Sequence, residues 1–222
     1  MTRLAINFGW TLVMAGWLCP ASGAQAAPTP RQVLNLKGRW QVAEGAKDQR
    51  PVRFDHTIPV PGLLDMAKPA FSEVGKKSAR REAFWYRRTF QVKGPVPEAA
   101  WLKVHKASYG TRVWLNGQDL GEHLPCFTPG WFNARAALRP DGAEQELIIR
   151  VGADRNELPE GMAKGFDFEK LLYLPGIYDS VELILSGAPR IVNVQTVPDP
   201  RIHRVDARAM ESSLRGHLGR AK

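Results

Sequence analysis

The chain has 222 residues, of which 44% are apolar and 24% charged, with 20 Gly and 17 Pro. That suits one domain of ordinary size, or one and a half, and the apolar content excludes a disordered polymer. A formal net charge of +9 raises nucleic acid as a partner, but its distribution argues against one. Six basic and two acidic residues fall within 201–222, while the body over 27–200 intersperses both signs. The excess is not gathered on a folded motif, so no nucleic-acid partner is expected.

Residues 1–26 read as a secretory signal. Arg3 supplies the positive start, residues 4–18 are mostly apolar but short for a membrane span, and Ala24-Gln25-Ala26 forms an A-x-A cleavage site. The alternative is an uncleaved N-terminal anchor. The expected location is secreted or periplasmic, with no membrane contact after cleavage. Cleavage would leave Cys126 as the only cysteine, so no internal disulfide could form and the fold must stand on its core.

In chain order, a turn at Val33-Leu34-Asn35-Leu36-Lys37-Gly38 leads into a strand centred on Trp40. His56-Thr57-Ile58-Pro59-Val60-Pro61-Gly62 is extended, and its two prolines confine it to an edge or a fixed loop. In Phe84-Trp85-Tyr86-Arg87-Arg88-Thr89-Phe90-Gln91-Val92, apolar Phe84, Tyr86, Phe90 and Val92 recur at period two. Trp85 and Arg88 are the exceptions. Residues 101–106 alternate again, with Leu102 and Val104 inward. Asn116-Gly117 then predicts a two-residue hairpin turn, because both central residues of a type I′ turn need positive φ. A strand over 145–151 is followed by a long polar loop over 152–172, and a loop of that length in a compact β domain is usually functional. Residues 177–185 and 190–197 are expected to be closing strands.

These elements predict an all-β chain, a two-sheet β-sandwich over 33–200, without an amphipathic helix longer than two turns. Apolar periodicity fades after Pro200, and residues 201–222 are expected to be a basic tail, disordered or derived from truncation.

Catalytic signatures are not legible. The five histidines are isolated, and there is no H-x-x-x-H pair, C-x-x-C, phosphate loop or dinucleotide fingerprint. No catalytic residue, metal or cofactor is expected. Binding remains, and sugars are held by aromatic faces and planar polar side chains. The loops carry Phe127, Trp131, Phe132, Phe166, Phe168 and Tyr173 near Asn133, Asp154, Arg155, Asn156, Asp167 and Glu169. Asp167, Phe166, Trp131 and Asn156 are the carbohydrate-binding candidates. Core packing or a solvated loop is the competing account of each. His123 is expected to be a hydrogen-bonded structural imidazole.

Four motifs, in order, resemble one family. Phe84-Trp85-Tyr86-Arg87-Arg88-Thr89-Phe90 and Val60-Pro61-Gly62 resemble segments of the N-terminal sugar-binding domain of glycoside hydrolase family 2, which includes β-galactosidases, β-glucuronidases and β-mannosidases. Val113-Trp114-Leu115-Asn116-Gly117-Gln118-Asp119-Leu120-Gly121-Glu122-His123 with Phe127-Thr128-Pro129 resembles its V-x-[VL]-N-G-x-x-[VL]-G-x-H-x(n)-[FY]-x-P hallmark. Pro175-Gly176-Ile177-Tyr178-Asp179-Ser180-Val181-Glu182-Leu183 resembles its closing strand, with Asp179 where the family often has Arg. The resemblance implies a galactose-binding-like jelly roll. In the family this domain precedes an immunoglobulin-like domain and a catalytic barrel that carries the two glutamates of hydrolysis, and neither is legible here. The implied function is the sugar-binding or accessory domain of a β-glycosidase, inactive alone, with carbohydrate and a catalytic barrel domain or chain as partners. The alternatives are a stand-alone secreted carbohydrate-binding module and a module that docks to a separate chain. In some members this domain lends a loop residue to the sugar site, and Asp167 lies in the corresponding loop.

Overall fold

The computed structural model describes residues 30–165, 169, 172–188, 190–199 and 204–212, the last two spans mainly as backbone. The expected signal over 1–26 lies outside the described residues. The strands are β1 (Gln32–Asn35), β2 (Gly38–Gly45), β3 (His56–Val60), β4 (Gly62–Leu63), β5 (Ala83–Gln91), β6 (Ala99–Val104) and β7 (Thr111–Leu115). They continue with β8 (Gln118–His123), β9 (Gly130–Asn133), β10 (Glu144–Gly152), β11 (Gly176–Ile177), β12 (Val181–Ser186), β13 (Arg190–Asp199) and β14 (Arg204–Ser212). Helical structure among the described residues is limited to single 3-10 turns at Leu64–Met66, Arg135–Ala137 and Arg155–Glu157.

Two antiparallel sheets form the body. One has the order β1-β12-β6-β9, the other β3-β2-β5-β10-β7-β8. The chain crosses between them from β1 to β2, then from β5 to β6, back to β7, across to β9, back to β10 and finally to β12. The molecule is therefore an all-β sandwich, as the strand pattern predicts. Its core joins Trp40, Val42, Ile58, Phe84, Tyr86, Leu147, Ile149, Val113 and Leu115 of the larger sheet to Leu102, Val104, Phe132, Val181 and Leu183 of the smaller. Burying side chains of this size contributes about 1.5–3 kcal/mol each.

The exceptions in β5 have local causes. Trp85 packs outside the larger sheet with Ala83 and Ile148, and Phe54 and Trp114 close over them. Its ring lies 5.2 Å from that of Trp114, and its indole N–H donates to the Ala46 carbonyl at 3.0 Å. Arg88 has core parity, but its guanidinium donates to the Arg39 carbonyl. The proline-bearing β3 is an edge strand, again as expected.

Asn116 and Gly117 make the predicted hairpin turn with φ of 53° and 85°, joining β7 to β8. Asn116 also reaches across the sandwich edge. Its Nδ2 donates to the Ala137 carbonyl at 2.8 Å and to Gln145 Oε1 at 2.7 Å, and its Oδ1 accepts from the Glu146 amide at 2.8 Å. Gln145 is fully buried. It donates to the Arg139 and Ala143 carbonyls, and its oxygen also accepts from the Arg139 amide at 3.0 Å. Every polar atom of this amide is satisfied, which is what allows it to be buried.

Gly176 fastens the end of the sandwich. β11 pairs with β4, while Gly176 and Ser108 exchange two backbone hydrogen bonds of 2.7 and 2.9 Å. At φ 153°, a side chain on residue 176 would come within 2.6 Å of the Gly62 carbonyl oxygen and 2.8 Å of Leu63 Cα, so only glycine fits.

The C-terminal part departs from expectation. β13 does not close the sandwich, and residues 204–212 do not form an unstructured tail. β13 and β14 pair only with each other, as an antiparallel ribbon with a register shift between Ile191 and Asn193. The sequence there alternates only weakly: Val205, Ala207 and Ala209 share one parity, two of them small, and Met210 falls on the other. Residues 213–222 lie outside the described residues.

Replacing Asn116 by Ala removes two donors and an acceptor from the Gln145 network and should destabilise the fold by about 1–3 kcal/mol. Urea titration checks this: the midpoint falls at unchanged slope. An unmoved midpoint would show that the turn alone uses Asn116.

Candidate functional site

Two of the four binding candidates, Trp131 and Asn156, lie among the described residues. Trp131 lies on β9, on the outer face of the smaller sheet, 41% exposed. Asn156 is exposed in the 3-10 turn after β10, where its backbone amide donates to Asp154 Oδ1 at 2.7 Å. No hydrogen bond or ring contact among the described residues links the two. Phe166 and Asp167, with Phe168, lie outside the described residues.

Most of the other loop candidates hold the fold. Phe132 is core, Asp154 caps its turn, and Asn133 Oδ1 accepts from the Arg135 amide at 3.1 Å. His123 Nε2 sits 3.0 Å from the Thr128 carbonyl and tightens the turn before β9, the structural role expected of it. Tyr109, Cys126 and Leu158 form a satellite core against which Leu124, Met162 and Tyr173 pack. This cluster seats the start of the long loop, where exposed Phe127 rests against Gly165 and the Arg155 guanidinium stands 4.7 Å from the Tyr173 ring. The Tyr178 hydroxyl donates to the Cys126 carbonyl at 2.7 Å. Asp179, the departure from the family pattern, accepts from the Ser180 amide and lies 3.5 Å from Lys106 Nζ. The amide bond first, and then the nearby cations, hold its carboxyl below the usual range.

A charged cleft that the sequence does not announce sits at one end of the larger sheet. Lys47, Glu82, Glu122, Arg150 and Glu157 come to it from five separate segments, beside Tyr109 and Thr111. Arg150 donates to the Lys47 carbonyl at 2.8 Å and to Glu122 at 3.1 Å, and Lys47 lies 3.7 Å from Glu157. Burial pushes the Glu157 carboxyl up and Lys47 partly offsets it. The cavity is only about 20 Å³, room for one water and not for a pyranose. A roomier groove of about 660 Å³ runs along the β3 edge between Arg39, Thr57, Ile58, Pro59, Met66 and Lys68, without an aromatic platform. Among the described residues no cluster of three or more His, Cys, Asp or Glu is placed to hold a metal, and no helix is long and apolar enough to cross a membrane.

Around Trp131 the chemistry differs. Lys103 Nζ lies 4.9 Å from its ring centroid, and the Arg190 guanidinium lies 5.1 Å from it and 4.4 Å from that of Trp101. Sequence reasoning missed Arg190 and Lys103. Only the register of the sheet and the return of the chain at β13 bring them to the tryptophans.

Two measurements check these environments. Cys126 is 1% exposed and burial pushes its thiol pKa up, so a thiol reagent should label the native protein far more slowly than the urea-unfolded protein; equal rates would contradict that burial. Arg112 donates to Asp119 at 3.0 and 2.6 Å, and that hydrogen bonding holds the Asp119 carboxyl below its ordinary range. A carboxyl lowered in the folded state stabilises above its unfolded pKa and loses that contribution as pH falls through the folded value. Asp119→Asn should therefore flatten part of the acid limb of stability against pH. The effect is small, because the pair is well exposed.

No family model matches the chain, and no curated protein does. Solved structures do. The chain is similar to a β-D-glucuronidase of Dictyoglomus thermophilum at 18% identity and TM-score 0.61, over 84% of this chain and 34% of that one. A β-D-mannosidase of the same organism matches at 21% identity and TM-score 0.57, over 75% and 24% respectively. The β-glucuronidase of Faecalibacterium prausnitzii matches at 21% and 0.57, over 89% and 37%. This chain thus spans about a quarter to a third of the length of the glycosidases it resembles, and its fold is that of one part of them.

Proposed function

We propose that the chain is a sugar-binding or accessory domain of the family-2 β-glycosidase type, with the family's jelly-roll topology, and that it supports a catalytic barrel rather than hydrolysing glycosides itself. The observation that carries this is a coincidence of sequence and space. The four motifs that resemble the family are not scattered over the fold. Val60-Pro61-Gly62 and Pro175-Gly176-Ile177 meet through β4 and β11, the buried Tyr86 phenol lies beside the Ile177 backbone, and Tyr178 reaches the Cys126 loop of the hairpin motif. The match to β-glucuronidase and β-mannosidase folds supports the same reading.

Glycoside hydrolysis needs two carboxyl groups that flank one bond with a sugar ring between them. Glu82, Glu122 and Glu157 gather at a cleft with room for one water, which does not meet that need. The reading as a stand-alone carbohydrate module draws on the exposed rings of Phe127 and Trp131. We infer export from the leader-like text of residues 1–26; an exported product whose mass begins at Ala27 would support it, and one retaining Met1 would overturn it.

The purified chain should show no turnover of 4-nitrophenyl β-D-glucuronide, β-D-galactoside or β-D-mannoside above buffer. Turnover that co-purifies with the chain overturns the proposal.

A further inference from the structure

We propose that the outer face of the smaller sheet around Trp131 is a binding site for a carboxylated saccharide, with Arg190 and Lys103 receiving the carboxylate and Trp131 the apolar face of the ring. This rests on the carbohydrate reading and adds a place and a ligand class to it.

Strand register builds the face. Lys103 stands opposite Trp131 and Trp101 opposite Asn133, so these side chains alternate with the buried Leu102, Val104 and Phe132 and point away from the core. Ile184 on β12 stands opposite Trp101, has the same outward parity, and is nevertheless only 3% exposed. The face therefore has an apolar floor. Arg190, the first residue of β13, lies over both tryptophan rings, and Lys103 lies over the second.

Neither Arg190 nor Lys103 has a carboxylate within 4 Å among the described residues. Glu182, which stands opposite Lys103, is engaged by His105 at 2.9 Å. Glu98, near the start of β6, accepts from the Ala188 amide at 2.8 Å. Arg31 adds like charge: after burial, it is the second influence that pushes the Arg190 pKa down. Arg190 Nε is buried without a partner. With Nε closed to solvent, a guanidinium stacked on an indole has its terminal Nη N–H groups for a planar anion, an edge that binds carboxylate in a bidentate way. Trp131 meanwhile leaves 41% of its surface open. A planar guanidinium and an ammonium beside an open indole fit an anion attached to a flat C–H surface, which is the chemistry of a uronic acid ring. A neutral sugar would leave the charges unanswered, and an acidic peptide would leave the indole unanswered.

The experiment is calorimetric titration of the full chain with trigalacturonic acid and with the neutral galactotriose of the same linkage, at low and at physiological salt. The acidic trisaccharide should bind saturably and more weakly as salt rises. Arg190→Gln and Trp131→Ala should each weaken it by about tenfold or more, with the urea midpoint checked for folding. Lys103→Gln provides the same test if Arg190→Gln does not fold. The inference is overturned by no binding, by unchanged affinity in the folded variants, or by displacement of the saccharide by polyglutamate or an oligodeoxynucleotide at equal charge concentration. It is also overturned if the neutral trisaccharide binds equally well and is insensitive to Arg190→Gln, an outcome that leaves the carbohydrate reading standing.

Discussion

The close approach of Gly176 to Gly62 and Leu63 sets the geometry of one whole end of the molecule. It joins the segment that leaves the edge strand β3 to the segment that returns the chain into β12. The two reciprocal hydrogen bonds between Gly176 and Ser108 then tie in the crossing from β6 to β7. Three connecting segments, two of them crossings between the sheets, are thus held at one point by backbone contacts that any β-carbon at residue 176 would break. The burial of Tyr86 next to Ile177 and the reach of Tyr178 to Cys126 depend on that point, and so does the satellite core beneath the long loop. The family-like sequence motifs are best understood as the chemistry of this junction.

The two outer faces of the sandwich are finished in opposite ways. Over the larger sheet, residues 46–55 form a strap, held where Trp85 donates to the Ala46 carbonyl, Arg150 donates to the Lys47 carbonyl and Arg50 pairs with Glu146 at 2.9 Å. The cations there are answered by carboxylates: Arg87 by Glu146, Arg112 by Asp119, Arg150 by Glu122 and Lys47 by Glu157. Among the described residues, the face around Trp101 and Trp131 carries no such strap. Arg190 and Lys103 rest there on indole rings instead of on acids. Among the described residues, charge is neutralised locally over the larger sheet and left unpaired at Arg190 and Lys103.

What could be read in the sequence was what period two and local turn chemistry encode. Phe84 and Tyr86 declared their face, Pro59 declared an edge, Asn116-Gly117 declared a hairpin, and His123 was recognisable as structural. Trp85 broke the alternation because a second, outer cluster with Ile148 and Trp114 claims it, and that cluster is formed by strands distant in sequence. The dual role of Asn116 was hidden for the same reason, since Gln145 lies on another strand. β14 escaped notice because alanines give a strand almost no apolar contrast. As for the site, Trp131 was visible as an aromatic but its cationic neighbours were not. Asn156 proved to be part of an Asp154-capped turn.

The pairing of β1 with β12 also has a kinetic meaning. Gln32 pairs with Leu185, so the first strand of the smaller sheet has no partner until nearly all of the sandwich has been synthesised. β2 finds β3 soon after it is made, but β5 does not gain its second neighbour until β10. A sheet assembled from such distant partners loses chain entropy before its contacts repay it, which places the chain among slow folders. Until β12 arrives, the inner face of β6, with Leu102 and Val104, is left without its central neighbour. The exposure of unpaired strand edges in this protein therefore belongs to the nascent chain rather than to the native state.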